Sequence, residues 1–336
     1  MDARPGGIKP DPNGLSPFMT NSDAPRVPLG PSDLAVSPLS LGGNVFGWTA
    51  DAEQSFAVLD AYAAAGGNFI DTADVYSNWA PGNSGGESET VIGDWLRSRG
   101  NREQIVVATK VGMLPGLDNL RPETIRQGAE ASLRRLGVER IDLFYTHKDD
   151  PDTPVEEIVG ALDALVREGK VREVAASNIG PERLAASLEF AAREGLAKYV
   201  AVQPHYNLVS RDTYEGPLAD VVAEHGLSVV PYFALAAGFL TGKYRPGASV
   251  DSARAQGAAK YLDDPRGPRV LAALDQVAGA HGVQVATVAL AWLAAQPTVA
   301  APLASARTVE QLPPLLAAAA LELTEAELKL LSEASA

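Results

Sequence analysis

Residues 68–76 read Asn-Phe-Ile-Asp-Thr-Ala-Asp-Val-Tyr, and this stretch indicates how the chain is organised. Two glycines precede it and are suited to end a helix. Phe69 and Asp71 have the same parity, so both point to one face of a β-strand. The stretch therefore predicts a short strand whose face ends in a carboxylate, followed by a loop that carries Tyr76. The alternative is that Asp71 caps a local turn and Tyr76 packs at a rim.

Short apolar runs alternate with helical periodicity on both sides of this stretch. Such runs are expected of strands that are covered on both faces. The predicted strands are residues 39–44, 69–73, 105–110, 141–147, 171–178, 200–203, 227–232 and 298–303. Eight β/α units predict an α/β fold of the (β/α)8 TIM barrel type. The rival fold is a doubly wound sheet, for which a Gly-x-Gly-x-x-Gly turn after a strand is expected, and the sequence has none.

The segments outside the predicted strands differ in composition. Residues 1–27 are rich in Pro, Gly, Asp and Asn and predict a disordered or loosely attached tail, in which Met19 is an alternative translation start. Residues 27–36 predict a small hairpin, and residues 236–267 a long irregular segment. Late helices are expected at 268–281, 284–295, 308–319 and 324–334. We expect residues 28–336 to form a single barrel domain with an N-terminal hairpin and extra C-terminal helices.

The composition limits the classes of partner. The chain has 336 residues and a formal net charge of −14, which argues against nucleic acid or an anionic membrane surface, although a local basic pocket can still hold an anionic small molecule. It contains no cysteine, which excludes disulfides and thiolate chemistry. It has no apolar run of the length of a membrane span and no signal-peptide pattern, so we expect a cytoplasmic protein.

Polar or aromatic residues stand where the predicted strands end. In a barrel these ends converge at one mouth, where the catalytic loops lie. The residues are Asp71, Tyr76, Lys110, His147, Ser177, Asn178, Gln203 and Tyr232. A single lysine or histidine at a strand end is most often a solvated terminus. Several such ends that meet at one rim indicate a functional site.

Four of these side chains suit acid catalysis. A tyrosine hydroxyl titrates near ~10, too high for easy proton donation at neutral pH, and a neighbouring ammonium lowers that value. Lys110 can supply this charge to Tyr76, and Asp71 can pair with Lys110. His147 can orient a substrate oxygen by hydrogen bonding. The group suits protonation of a carbonyl oxygen, and because it contains no obvious nucleophile, the attacking agent is expected to be a cofactor hydride.

The motifs around these residues resemble those of the aldo-keto reductases, which are NADP(H)-dependent (α/β)8-barrel oxidoreductases. The matching stretches, in the order of the family, are residues 69–76, 86–89, 107–110, 142–147, 168–172, 176–178 and 202–207. The resemblance implies that Tyr76 is the general acid, that Lys110 activates it and that Asp71 pairs with Lys110. It implies that His147 orients the carbonyl. The implied nicotinamide contacts are Ser177, Asn178 and Gln203 to the carboxamide and Tyr232 on the ring.

The resemblance also implies where the phosphates of the cofactor bind. Residues 238–243 match the family's loop after the seventh strand, in which main-chain donors and a lysine embrace the pyrophosphate; the candidates are Gly238, Leu240, Gly242 and Lys243. The candidates near the adenosine 2′-phosphate are Ser305, Arg307 and Gln311. The fork of an arginine suits a phosphate, so NADPH is expected over NADH. The sequence departs from the family at residues 233–234, where Phe-Ala replaces a common Ser-Pro, and near Leu315, where a frequent asparagine is absent.

Three functions are weighed on these residues. The main hypothesis is an NADPH-dependent reductase of small aldehydes or ketones. The alternatives are a cofactor-sensing regulatory subunit, since relatives in the family serve as channel β-subunits, and a Schiff-base lyase that uses Lys110. Trp48 and Trp79 are candidates for the substrate pocket or for packing at the rim. No metal site is expected, because the histidines lack metal-ligand spacing. The sequence specifies neither a particular substrate nor an oligomeric state.

Overall fold

Short strands form the framework of the molecule. A computed structural model describes residues 24–245, 247 and 255–336. The predicted tail as far as residue 23, including Met19, lies outside the described residues. The strands are β1 (Val27–Pro28), β2 (Ala35–Val36), β3 (Ser40–Gly42), β4 (Phe69–Asp71), β5 (Val106–Val111), β6 (Ile141–Thr146), β7 (Val171–Ser177), β8 (Tyr199–Gln203), β9 (Ser228–Val229) and β10 (Leu303–Ala304).

The strands from β3 to β10 form one parallel sheet that curls into a barrel. Its order is β10-β3-β4-β5-β6-β7-β8-β9, and every neighbouring pair is parallel. The two ends of this order meet through a parallel bridge between Val229 and Val299 and a 3.0 Å hydrogen bond from the Leu303 N–H to the Pro231 carbonyl. Helices flank the sheet, and the predicted (β/α)8 barrel is confirmed.

The helices follow the strands in the expected alternation. They are α1 (Ala52–Ala64), α2 (Glu87–Arg99), α3 (Pro122–Leu136), α4 (Val155–Arg167), α5 (Pro181–Glu194), α6 (Pro217–Glu224), α7 (Ala255–Asp263), α8 (Arg266–His281), α9 (Val285–Ala294), α10 (Leu312–Leu316) and α11 (Glu325–Ala334). Short 3₁₀ turns lie at Arg102–Gln104, Ala236–Thr241, Val309–Gln311 and Ala317–Ala320. Within the described ranges no single helix has the length and apolar composition to cross a bilayer, although the bent pair α8 and α9 meets both criteria jointly.

Three predicted segments differ from the structure. The last strand begins at Leu303 rather than at Thr298, because Thr298 has a φ of 67° and Pro302 cannot donate to a ladder. Residues 236–267 contain a 3₁₀ turn, α7 and the start of α8 and are not irregular throughout. The helix predicted over 308–319 is divided into two 3₁₀ turns around the five residues of α10.

The barrel interior is filled by alternate residues of the strands. Phe69, Ala108 and Leu143 belong to an inner apolar cluster, whereas their neighbours pack in the larger cluster beneath the helices. The predicted hairpin is present, since β1 and β2 pair antiparallel. Leu29 and Leu34 from this hairpin are at most 2% exposed and join the inner cluster. The hairpin therefore closes the barrel at the end opposite to the carboxyl ends of the strands.

Candidate active site

The side chains of Asp71 and Lys110 lie buried beneath the mouth of the barrel. Both are fully inaccessible, and the Lys110 ammonium is 2.5 Å from one Asp71 carboxylate oxygen. The same ammonium donates to the Thr72 carbonyl at 2.8 Å and to the Tyr76 hydroxyl at 3.3 Å. The amide of Gln203 donates to the second carboxylate oxygen of Asp71 at 2.9 Å. Lys110 is thus held by three oxygens, and one of them is the phenol of Tyr76.

The register of the sheet produces this arrangement. Asp71 is paired with Ala108, so Lys110 lies two residues further along the same face of the adjacent strand. Beyond β4 the chain continues alongside β5, because the Thr72 and Asp74 N–H groups donate to the carbonyls of Ala108 and Lys110. The loop then turns and brings Tyr76 back over Lys110. Three residues from two strands and one loop are therefore placed by backbone pairing.

Burial and the charge of Lys110 act in opposite directions on the pKa of the Tyr76 phenol. Burial raises the pKa of Tyr76, Lys110 lowers it and Asp71 raises it again, and the net direction is upward. Burial lowers the pKa of the Lys110 ammonium, but Asp71 and Tyr76 outweigh this and raise it. Lys110 therefore stays charged. Lys110 opposes the effect of burial on Tyr76 without bringing its pKa below the ordinary value, and the phenol keeps its proton at neutral pH.

His147 follows β6 and lies at the floor of the mouth. It is 9% exposed, and its ring centroid is 6.0 Å from that of Tyr76. Its backbone N–H donates to the Val111 carbonyl. Burial, with a smaller effect from Lys110, holds the pKa of His147 well below its usual range. Its Nδ1 has no hydrogen-bond partner among the described residues. His147 is thus a neutral imidazole with unused hydrogen-bonding capacity.

A single cavity of about 560 Å³ opens at this mouth. Of the residues singled out in the sequence, those that line it are Trp48, Tyr76, Trp79, His147, Ser177, Asn178, Gln203, Tyr232, Gly238, Lys243, Ser305, Arg307 and Gln311. Asp71 and Lys110 lie beneath its floor and reach it through Tyr76. Leu240 is fully buried in the core, and Gly242 ends a 3₁₀ turn with a φ of 79°; neither lines the cavity.

The middle of the cavity contains a polar network next to an aromatic ring. Asn178 has a φ of 48°, a conformation that asparagine tolerates, and its amide donates to the His147 carbonyl and to the Ser177 hydroxyl. The Ser177 hydroxyl donates to the Gln203 carbonyl at 2.8 Å. The Tyr232 hydroxyl donates to the Asn178 side-chain oxygen at 2.7 Å. The predicted nicotinamide residues are therefore neighbours that fix one another.

The far end of the cavity contains the cationic side chains. Lys243 and Arg307 both line it, and both are exposed. The backbone N–H of Arg307 donates to the side-chain oxygen of Gln311 at 2.8 Å. The described part of the chain places no carboxylate in an ion pair with the Arg307 guanidinium. Ser305 donates to the Asn44 side chain at 2.6 Å. This end can therefore hold an anionic group.

The sequence interpretation missed several residues that line the cavity. Among them are Asn44, Thr49, Met113, Gln284 and Glu310. Phe233 and Leu315, which the sequence marked only as departures from the family, line the cavity too. Asn44 and Met113 follow β3 and β5, so their position just beyond strand ends was a usable signal. Gln284 precedes α9 and Glu310 lies in a 3₁₀ turn, and no pattern in the sequence marks either as a cavity residue.

A parallel eight-stranded barrel with a tyrosine, lysine, aspartate and histidine at its carboxyl mouth defines a class of barrel oxidoreductases. The model of the Aldo/keto reductase family matches residues 38–336, and the chain belongs to this family. Members of the family are oxidoreductases that act on carbonyl groups and generally use NAD(P)H.

Curated relatives cover most of the chain. A norsolorinic acid reductase from Emericella nidulans is 33% identical over 88% of this chain and 77% of its own length. A probable voltage-gated potassium channel subunit beta from Oryza sativa subsp. japonica is 34% identical over 84% of this chain and 88% of its own length. An aldo-keto reductase from Strobilurus tenacellus is 32% identical over 89% of this chain and 86% of its own length.

Proposed function

We propose that this chain reduces aldehydes or ketones to alcohols with NADPH, and that Tyr76 donates the proton. The contact between the Lys110 ammonium and the Tyr76 hydroxyl, 3.3 Å at the floor of the cavity, carries this proposal. An oxygen that gains negative charge beside Tyr76 needs a proton donor within hydrogen-bond reach. Tyr76 holds a proton at neutral pH and faces the cavity.

Lys110 acts on the proton transfer through its charge. When Tyr76 gives up its proton, the phenolate is left 3.3 Å from a buried ammonium, which stabilises it in a medium of low dielectric. Asp71 and Thr72 hold that ammonium in place, so no reorganisation is needed at the moment of transfer. His147 is neutral and can donate a hydrogen bond to the same substrate oxygen without competing for the proton.

The cavity fits a dinucleotide cofactor. Ser177, Asn178 and Gln203 offer amide and hydroxyl groups to a carboxamide, and Tyr232 offers a ring face. Ala236 and Ala237 have positive φ, which is strained for residues with a Cβ and typical of ligand clamps, and Gly238 beside them adopts positive φ without strain. These residues would hold a reduced nicotinamide, which would supply the hydride when bound.

The exposed guanidinium of Arg307 favours NADPH over NADH. An arginine fork forms charge-assisted hydrogen bonds with a phosphate, and the 2′-phosphate is the group that distinguishes the two cofactors. Fluorescence titration of the protein with each cofactor measures the two dissociation constants. Comparable constants would contradict the preference for NADPH.

Turnover of carbonyl compounds tests the activity itself. We expect NADPH oxidation that depends on an added aldehyde or ketone. The Tyr76→Phe variant removes the proton donor and keeps the ring, so turnover should fall by about 10²-fold or more while the dissociation constant of NADPH changes little. Full turnover by this variant would exclude Tyr76 as the acid.

The similarity to probable channel β-subunits makes a cofactor-sensing regulatory protein the second candidate. The intact contacts among Asp71, Lys110, Tyr76 and His147 favour an enzyme. Cofactor binding without turnover of any carbonyl compound would favour the regulatory function instead.

A further inference from the structure

We propose that the carbonyl substrate is a flat, uncharged aromatic compound of about two fused rings, and that Trp79 selects it. This inference rests on the proposed reductase function and adds the chemical class of the substrate. It depends on an apolar rim, by which we mean Trp48, Trp79, Met113 and Phe233. All four side chains line the cavity.

The exposed apolar side chains of the protein are concentrated at this rim. Among the described residues, four large apolar side chains are exposed, and three of them belong to the rim. The exposed fraction is 46% for Trp79, 40% for Met113 and 50% for Phe233. Exposed apolar surface of this kind is unfavourable in water and, when it is contiguous, marks a binding site. These side chains would lose this exposure when an apolar ligand fills the mouth.

Trp79 extends the aromatic surface outward from the catalytic phenol. Its ring centroid is 5.7 Å from that of Tyr76 and 5.7 Å from that of Trp48, in both cases in an edge arrangement. Trp48 and Tyr76 therefore hold the indole in place, and nearly half of Trp79 is still accessible. A ring whose carbonyl oxygen reaches Tyr76 would continue along Trp79, where a second fused ring can stack.

The distribution of charge disfavours an ionic group on the substrate at the rim. Among the described residues that line the cavity, the charged side chains are Lys243, Glu310 and Arg307, which belong to the loops after β9 and β10. The rim contributes no charged group. A carboxylate on the substrate would lose its hydration there without gaining a cation, which costs free energy.

The four rim side chains contribute no hydroxyl, amide or carboxylate group. Thr49, next to Trp48 in the sequence, also lines the cavity, but its hydroxyl is buried and out of reach of a ligand. Polyhydroxylated substrates need several directional partners, because each buried hydroxyl without one is costly. A rim of four apolar side chains therefore fits an aromatic carbonyl compound better than a sugar aldehyde.

The test compares kcat/KM for four aldehydes with NADPH: 2-naphthaldehyde, benzaldehyde, 6-formyl-2-naphthoate and glyceraldehyde. A stacking contact contributes about 1 kcal/mol, so we expect 2-naphthaldehyde to exceed benzaldehyde by roughly fivefold to tenfold. Both carboxylate and polyol probes should be at least about tenfold poorer than 2-naphthaldehyde. Trp79→Ala should reduce the naphthaldehyde-to-benzaldehyde ratio to near one, and Trp79→Phe should retain most of it.

Val309→Ala is the matched control, because Val309 is an exposed apolar side chain, at 38%, that does not line the cavity. The naphthaldehyde-to-benzaldehyde ratio of kcat/KM in this variant should equal that of the parent protein. Met113→Ala is a second rim variant and should lower the same ratio. Similar kcat/KM values for all four aldehydes, or an unchanged ratio in Trp79→Ala, would overturn the inference and leave the reductase function standing. No turnover of these four or of any other aldehyde or ketone tested with NADPH would instead overturn the reductase function.

Discussion

At the scale of single residues, the buried pair of Asp71 and Lys110 links stability to chemistry. Removal of one partner leaves the other as an uncompensated buried charge, which typically costs about 3–5 kcal/mol. We expect Lys110→Met to lower the free energy of unfolding by this amount and to abolish turnover. Chemical denaturation and NADPH oxidation measure the two effects.

The double variant Asp71→Asn with Lys110→Met separates the two roles. It removes both charges and leaves a polar group for Gln203 to contact, so most of the lost stability should return. Turnover should stay absent because Tyr76 has no ammonium beside it. A stable double variant that still turns over would show that the charge of Lys110 is dispensable.

Asp74 is a buried carboxyl that the proposed chemistry does not use. Neither of its oxygens has a hydrogen-bond partner among the described residues. Burial, then the nearby Glu89, raises its pKa from 3.8 to about 7, against opposing effects of Arg135 and Lys110. Between these two values the folded protein binds the proton more tightly than the unfolded chain, so the free energy of unfolding falls as pH rises through this window.

Asp74→Asn should remove this pH dependence. The shift in the pKa of Asp74 corresponds to roughly 4 kcal/mol, so the free energy of unfolding of the variant should exceed that of the parent by up to this amount between about pH 4 and pH 8. At the acid end the two proteins should be nearly equal, because Asp74 is then protonated. Urea unfolding across this range measures the difference, and exposed Asp118→Asn is the control. A constant difference between Asp74→Asn and parent would contradict the assignment.

The sequence predicted which site residues lie close together, but it could not predict the charge state of a buried carboxyl. Parity and strand position predicted that Asp71, Tyr76, Lys110 and His147 come together, because backbone pairing fixes where strand ends lie. The charge state of Asp74 could not be predicted. It depends on the burial of Asp74 and then on Glu89, which is itself fully buried and bound by Arg135 at 2.6 Å, and nothing local in the sequence shows either.

At the scale of elements, the hairpin of β1 and β2 covers the end of the barrel opposite to the cavity. Leu29 is fully buried in the inner cluster at the end remote from the cavity. Leu29→Ala should lower the free energy of unfolding by about 2–5 kcal/mol through a cavity in the core. Its kcat/KM should stay within roughly twofold of the parent value, because the catalytic residues are held by β4, β5 and β6.

Thermal or chemical unfolding and steady-state kinetics on the same preparation test both halves of this prediction. Val309→Ala should change the free energy of unfolding by less than about 0.5 kcal/mol, since the side chain is exposed. If Leu29→Ala loses activity in proportion to its loss of stability, the two ends of the barrel are coupled. The hairpin would then influence the catalytic site as well as cover the opposite end.

Element boundaries were predictable where periodicity was long. The runs that became β5, β6 and β7 have six or seven residues and showed their parity plainly. The seam, by which we mean the junction of β9 and β10 that closes the barrel, gave no such signal. Each of these strands has two residues, and a proline stands before or near each one. Pairing across the seam therefore depends on the closed barrel rather than on local preference.

At the scale of the whole molecule, an anionic protein is proposed to bind an anionic cofactor. The net charge is −14, and the cations in the cavity, Lys243 and Arg307, have to offset that field locally. The cavity is lined by residues that follow strands on both sides of the seam, such as Asn44 after β3 and Tyr232 after β9. A bound cofactor would bridge these segments and stabilise the barrel as a unit.

Because a bound cofactor would bridge these segments, its binding should stabilise the fold. The size of this effect in variants of Arg307 and Lys243 distinguishes the roles of the two side chains. NADPH at about 100 times its dissociation constant should raise the free energy of unfolding by about 2.7 kcal/mol. Arg307→Ala should raise the dissociation constant of NADPH roughly tenfold to a hundredfold, the equivalent of about 1.5–3 kcal/mol for charge-assisted hydrogen bonds, and leave that of NADH nearly unchanged. Lys243→Ala should weaken both cofactors to a similar degree, because both contain the pyrophosphate. Melting temperatures of parent and variants with each cofactor give all the comparisons. An equal loss for NADPH and NADH in Arg307→Ala would place the 2′-phosphate elsewhere in the cavity.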